Sequence, residues 1–156
     1  QNPRKLMYTL IQAGPNHLDD LALLFDAYRI FYRKETDITA AKKFLSDRLT
    51  NNQSVVFMVY DGSRAAGFTQ LYPFVNMAAV WLLNDLFVDP VYRGKKIGKQ
   101  LLEAAQNHCT ATHAKGVSLE TEQTNVVGNK LYPIMGFEKD TEHNFYYWEN
   151  PTFSTE

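Results

Sequence analysis

Residues 93–99 read Arg-Gly-Lys-Lys-Ile-Gly-Lys and place four cations and two glycines in seven positions. Just before them Asp89-Pro90 closes an apolar run, and Pro90 bars a continuing central strand. From Ile97 the spacing is that of an amphipathic helix. Gly94 and Gly98 let the backbone turn tightly and approach a ligand closely. Exposed amides at a helix N-terminus, the positive end of the helix dipole and the cations Arg93, Lys95 and Lys96 together describe an anion site. Several amides pointing outward in series suit a diphosphate better than a single carboxylate. The bland alternative, an ordinary helix start with a solvated basic first turn, stays open on spacing alone.

Two nucleotide loops fail on these residues. Gly94 to Lys99 spells G-x-x-x-G-K, one residue short of a P-loop, and Gln100 stands where Ser or Thr would bind magnesium. The dinucleotide fingerprint G-x-G-x-x-G is absent. Metal and covalent chemistry find little support. His108 and His113 lie five apart, on different faces of a helix, and His17 and His143 have no ligand-type neighbours. Cys109 falls inside a predicted helix and reads as a buried thiol. No G-x-S-x-G elbow occurs.

The elements that must carry this turn follow from periodicity. An opening strand spans Met7 to Gln12, and Gly14-Pro15-Asn16 breaks it. Leu18, Leu21, Leu24, Phe25, Tyr28, Phe31 and Tyr32 recur at three- and four-residue steps, predicting an amphipathic helix with Asn16 as its cap. A second helix starts near Thr39 and ends at Asn51-Asn52. Ser54–Tyr60 and Ala66–Tyr72 flank the turn signal Asp61-Gly62-Ser63 and read as a hairpin, with Pro73 stopping the second strand. Ala78 to Val88 is a long strand, followed by the basic turn and its helix. Val117–Thr121 is a further strand, Val126–Met135 a short helix, and Phe145-Tyr146-Tyr147-Trp148 a last strand. Hairpins beside strand–helix–strand units predict a mixed, helix-flanked α/β sheet.

Composition sets bounds on partners and setting. The chain has 156 residues, 45% hydrophobic and 13% aromatic, so one globular domain over 1–156 is expected. A net charge of −1 provides no overall field for nucleic acid, so any cationic site must be local. One cysteine precludes a disulfide framework within the chain. No apolar run reaches the length of a membrane span, and Gln1-Asn2-Pro3-Arg4-Lys5 does not read as a signal peptide. A cytoplasmic protein is the expectation.

With the elements in order, Val88-Asp89-Pro90-Val91-Tyr92-Arg93-Gly94-Lys95-Lys96-Ile97-Gly98-Lys99-Gln100-Leu101-Leu102 resembles the acetyl-CoA signature of the GCN5-related N-acetyltransferases, Q/R-x-x-G-x-G/A after a strand. Arg93, Ile97 and Gly98 fill the first, fifth and sixth positions, and Lys96 stands at the usual glycine. Asn125-x-x-Gly128-x-x-Leu131-Tyr132-x-x-x-Gly136-Phe137 resembles a second block of that superfamily, with Gly128 replacing the usual alanine. The likeness runs from about Lys5 to Glu149, and Gln70–Pro73 with Leu83–Val88 are similar to bacterial members grouped with histone and polyamine acetyltransferases.

The resemblance implies an α/β (α+β) domain: a mixed, mostly antiparallel sheet of about six to seven strands with about four helices, splayed at an acetyl-CoA cleft. It implies direct acetyl transfer from acetyl-CoA, as co-substrate and without metal, to a primary amine of a small molecule (polyamine or amino-acid-like) or of a protein. Phe87 and Val88, the segment Arg93, Gly94, Lys95, Lys96, Ile97, Gly98 and Lys99, and Asn125 with Asn129 are the implied coenzyme contacts. The Val88 amide is the candidate to polarise the thioester carbonyl. Lys96 would offer its backbone amide from a helical conformation. Asn125 either bonds the pantetheine arm or caps its helix.

Tyr132 is the candidate acid for the departing thiolate. Its alternative is a packing role beside Phe137. Asn84 cannot take up a proton, which leaves Asp85, on the opposite strand face, as a candidate base or a structural carboxylate. Glu120 and Glu122, on one face of the Val117–Thr121 strand, would line an acceptor cleft. Tyr28, Arg29, Tyr32 and Tyr72 are candidate acceptor contacts against the alternative of core packing. A homodimer with the Phe145–Trp148 strand at its interface is the analogous assembly. A module of the same fold that binds coenzyme A without turnover is the competing reading.

Overall fold

The computed structural model describes residues 8–74 and 79–153. Its order is β1 (Tyr8–Gln12), α1 (Leu18–Phe31), α2 (Ile38–Thr50), β2 (Val55–Asp61), β3 (Arg64–Phe74), β4 (Val80–Val88), α3 (Ile97–Ala111), β5 (Gly116–Leu119) and α4 (Val126–Ile134). Met7 and Ala78, expected to open two strands, lie outside the described residues. The strands form one five-stranded sheet in the order β1-β2-β3-β4-β5. The first three pairings are antiparallel, and β4 and β5 are parallel, joined by the α3 crossover.

Both faces of the sheet are covered. Leu21, Ala22 and Leu24 of α1 and Leu45 of α2 pack with Val56, Met58, Phe68 and Phe87 on one side. On the other, α3 presents Ile97, Leu101, Leu102 and Ala105, a helical stripe that closes over Val59, Ala66, Leu71 and Leu83. Burying one such leucine contributes about 1.5–3 kcal/mol. These two layers clamp β3 and β4, the strands that carry the site.

Local details depart from expectation for identifiable reasons. β3 continues through Pro73 to Phe74, because β2 has already ended at Val55↔Leu71 and the missing Pro73 amide interrupts no ladder on that side. Asn16 does not cap α1; it lies in a 3-10 turn, Pro15–His17, where the Gly14 amide donates to His17 Nδ1 at 3.0 Å. Asp37 caps α2 by accepting from Ala40 N at 3.0 Å. Phe145–Trp148 forms no strand, so the sheet has five strands among the described residues rather than six or seven. The backbone of that segment pairs with nothing within the chain, and β propensity without a partner strand makes no ladder. No helix among the described residues is long and apolar enough to cross a membrane.

Candidate active site

β4 and β5 pair only from Val80↔Gly116 to Leu83↔Leu119. There β5 stops and the chain enters a loop over residues 120–125, while β4 runs on to Val88. The main chain of residues 84–88 therefore has a strand neighbour on the β3 side alone, which is the expected splay. A bulge marks the same point: Gln70 faces Asp85 and Leu71 faces Leu83, leaving Asn84 as the extra residue.

A cleft of about 430 Å³ opens at this seam. Tyr28 of α1 and Tyr32, the residue capping that helix's C-terminus, line it with Leu82, Leu83, Asn84 and Leu86 of β4. The loop adds Glu120, Thr121, Glu122 and Asn125, and α4 adds Tyr132. Two carboxylates and three phenols face the space, with no cation among the described residues lining it. Glu120 and Glu122 reach the cleft from the loop and not from a strand face, because β5 ends before them at Leu119.

Behind the lining lies Asp85, 4% exposed, whose Oδ2 accepts from Gln70 Nε2 at 2.7 Å and whose Oδ1 accepts from Asn84 Nδ2 at 3.2 Å. Burial first, then the Asp85 carboxylate, pushes the Tyr28 phenol far above its ordinary range. Tyr32 is raised by burial and then by Glu122 and Asp85. Tyr132 is raised by burial and by Tyr32, against a lowering hydrogen bond with Thr121. All three hold their protons at neutral pH. The Tyr132 ring also packs edge-on to Phe137 at 6.0 Å, so it lines the cleft and packs against the sheet at once.

Other candidates fall elsewhere. Arg29 and Tyr72 are not among the cleft's lining. Tyr28 and Tyr32, four residues apart, share the helix face toward the cleft, and Arg29 is turned off it. Tyr72 lies under Arg48, whose guanidinium is 4.8 Å from its ring. Asn125 takes the capping role: its Oδ1 accepts from Gly128 N at 3.0 Å and its Nδ2 donates to Thr121 Oγ1 at 2.8 Å. A Cβ on Gly128 would sit 2.4 Å from that Nδ2 and 3.0 Å from the Tyr132 ring, so glycine here makes room for the cap. Asn129 donates to the Asn125 and Glu122 carbonyls at 2.8 and 3.0 Å, holding the loop. Thr121, which sequence reasoning did not single out as a site residue, shows itself only once β5 is seen to end early.

The basic turn follows a 3-10 turn, Pro90–Tyr92, with Asp89 accepting from Val91 N at 3.0 Å. Gly94 has φ +77° and Lys96 has φ 63°, ψ 20°. Lys96 is thus left-handed and caps α3; it is not the first residue of a right-handed helix. The turn needs a conformation natural to glycine, which explains the residue the signature usually carries there. The amides of residues 94–99 donate to no backbone carbonyl among the described residues. Arg93, Lys95, Lys96 and Lys99 are exposed around them, with Lys99 4.0 Å from Glu103. Ile97 is buried, so only its main chain faces the turn. A Cβ on Gly98 would lie 3.5 Å from Leu131, an ordinary contact. Phe87 packs into the core, and the Val88 carbonyl accepts from Arg93 Nε at 3.4 Å. The Arg93 guanidinium also stands 5.0 Å over the Phe31 ring, joining the turn to the end of α1.

Open amides in series and an unpaired strand edge thus lie on the same chain as an acidic, phenol-lined cleft. A model of the acetyltransferase (GNAT) family matches residues 20–137, and the chain belongs to that family. It is 41% identical over 133 residues to an uncharacterized N-acetyltransferase, YhfO, of Bacillus subtilis, covering 83% of this chain and 89% of the relative. A crystal structure of a probable acetyltransferase superposes with a TM-score of 0.86 at 33% identity, covering 93% of this chain and 99% of the other. The aminoglycoside acetyltransferase AAC(6')-Iy, in complex with the bisubstrate analogue CoA-S-monomethyl-acetylneamine, shares the fold at a TM-score of 0.78 and 22% identity, over 92% and 99% of the two chains. The protein is an acetyl-CoA-dependent N-acetyltransferase.

Proposed function

We propose that the acceptor is a small molecule carrying more than one ammonium group, and that it binds in the cleft between α1, the β4 bulge and the 120–125 loop. The observation that carries this reading is the lining itself: Glu120, Glu122, Tyr28, Tyr32 and Tyr132 around about 430 Å³, with no cation among them. Two carboxylates attract a dication, and phenol faces favour alkylammonium groups. The similar fold of an enzyme caught with an acetylneamine analogue is in keeping with a polyamino acceptor.

The residues divide the work. Acetyl-CoA supplies a thioester-activated acetyl group. The amides and cations of Arg93 to Lys99 hold its phosphates, and the open edge of residues 84–88 receives its pantetheine arm. The Val88 amide donates toward the carbonyl oxygen on which charge develops. The phenol of Tyr28, raised by burial and by the Asp85 carboxylate beside it, accepts the ammonium proton as its own passes to that carboxylate, leaving the nitrogen lone pair free to attack. Asp85 acts through Tyr28 and is a positioning residue. As the C–S bond breaks, Tyr132 gives its hydroxyl proton to the leaving sulfur and regains one from the acylated nitrogen, and the carboxylate releases the first proton to solvent through Tyr28. Glu120→Gln and Glu122→Gln variants test the acceptor assignment: KM for a diamine should rise at least tenfold, with KM for acetyl-CoA unchanged. An unchanged diamine KM in both would refute it.

A further inference from the structure

The C-terminal end of α1 is held by few buried contacts. Residues 30–40 are exposed without exception. The chain leaves the helix through Arg33, left-handed at φ 66°. There the Arg33 amide donates to the Ile30 carbonyl and the Lys34 amide to the Arg29 carbonyl, both at 2.9 Å. Exposed hydrogen bonds and sparse packing make such an end prone to local opening. Yet Tyr32, which caps it, forms part of the cleft wall. Whatever fixes Tyr32 therefore shapes the cleft.

One contact crosses from this end to the basic turn. The Arg93 guanidinium stands 5.0 Å over the ring of Phe31, the last residue of α1 and itself 55% exposed. Phe31 meets Tyr32 edge-on at 5.3 Å, and Tyr32 meets Tyr28 edge-on at 4.9 Å. A guanidinium serves two partners at once, because its faces stack on rings while its N–H groups donate in the plane of its edge. Arg93 uses a face on Phe31 and its Nε on the Val88 carbonyl at 3.4 Å. Its terminal nitrogens enter no salt bridge among the described residues, which leaves them to donate to a phosphate. Charge reaches Tyr32 by the same route: burial, then Glu122 and Asp85 raise its phenol, and Arg93 lowers it. The turn and the cleft meet at Tyr32.

We propose that Phe31 is a positioning residue for the transfer: Arg93 holds a phosphate of the coenzyme on its edge and the Phe31 ring on its face, and Phe31 in turn sets Tyr32 in the cleft wall. Coenzyme binding thereby orders the end of α1. Phe31 belongs neither to the cleft lining nor to the basic turn, so it acts only through Arg93 and Tyr32. That this ordering also tightens the acceptor rests on the acceptor reading above; the link from Arg93 to Tyr32 does not.

Amide exchange on the full chain, with unacetylated coenzyme A as the probe, tests the link without acceptor or turnover. Saturating coenzyme A should slow exchange of the Tyr32, Arg33 and Lys34 amides by about two- to fivefold, the span set by one exposed cation–π contact. Phe31→Leu places a good helix former at an exposed helix end, so the fold is kept. In it these amides should exchange alike with and without coenzyme A, and Phe31→Tyr, which keeps the ring, should restore the protection. No slowing in the wild type would overturn the proposal, as would equal slowing in Phe31→Leu. A calorimetric arm reads the acceptor: 1,4-diaminobutane should bind the wild type about two- to fivefold tighter with coenzyme A present, and Phe31→Leu should lose that gain. Amide protection that follows Phe31 without any gain for the diamine would support the link and refute the acceptor reading instead.

Discussion

Gln70 Nε2 donates to Asp85 Oδ2 at 2.7 Å, across directly paired positions of β3 and β4, at the bulge that turns Asn84 into the cleft. Gln70 is fully buried and its Oε1 has no partner, so the carboxylate is the one group that satisfies this side chain. Asp85 therefore has two duties, holding the bulge and facing Tyr28.

The duties separate by substitution. Asp85→Ala strands the Gln70 amide and should lower stability by about 1–3 kcal/mol, read as a fall in the urea midpoint at constant m. Asp85→Asn keeps an acceptor and the shape while removing the charge. It should retain most of that stability, yet cut kcat by roughly 10–100-fold through the loss of proton uptake behind Tyr28. Equal kcat in Asp85→Asn and wild type would reduce Asp85 to a structural role.

Tyr132→Phe removes the hydroxyl and leaves the ring on Phe137. We expect kcat to fall by about 10²–10⁴-fold with acetyl-CoA affinity within twofold. Burial raises this phenol, so its acid form persists above the ordinary tyrosine range. Loss of the proton donor should therefore bring kcat down only above about pH 10. A rate that falls on an alkaline limb well below that would assign the limb to another group.

Lys96 holds a left-handed conformation that a side chain adopts at a cost of about 1–2 kcal/mol. Lys96→Gly should recover about 1 kcal/mol and raise Tm by roughly 2–4 °C. The same change removes one cation from the turn, so the coenzyme's Kd should rise severalfold and its salt dependence weaken. Thermal melts and titrations in parallel check both signs.

Much of this fold is legible in the sequence because each covered element has one consistent period. The α3 stripe of Ile97, Leu101, Leu102 and Ala105, the Gly62 turn and the basic turn all carry local signals that the structure keeps. What escapes depends on neighbours. Whether Phe145–Trp148 pairs is a matter of what lies beside it, which no pattern within four residues encodes. The cleft-lining role of Thr121 arises because β5 stops at Leu119, a boundary set by pairing with β4. Tyr28 and Tyr72 show equal aromatic promise in sequence, but α1 turns one to the cleft and Arg48 covers the other. The handedness of Lys96 is likewise invisible in a string whose neighbours permit either turn.

The central claim is amine-dependent acetyl transfer in an acidic cleft, and the most direct test is free-thiol release from acetyl-CoA across diamines, polyamines, monoamines and lysine peptides. Release should require an amine, favour small acceptors with two or more ammonium groups, and collapse in Tyr132→Phe while the coenzyme still binds. Release that is indifferent to the second ammonium, or tight coenzyme binding without release for any amine, would contradict the account.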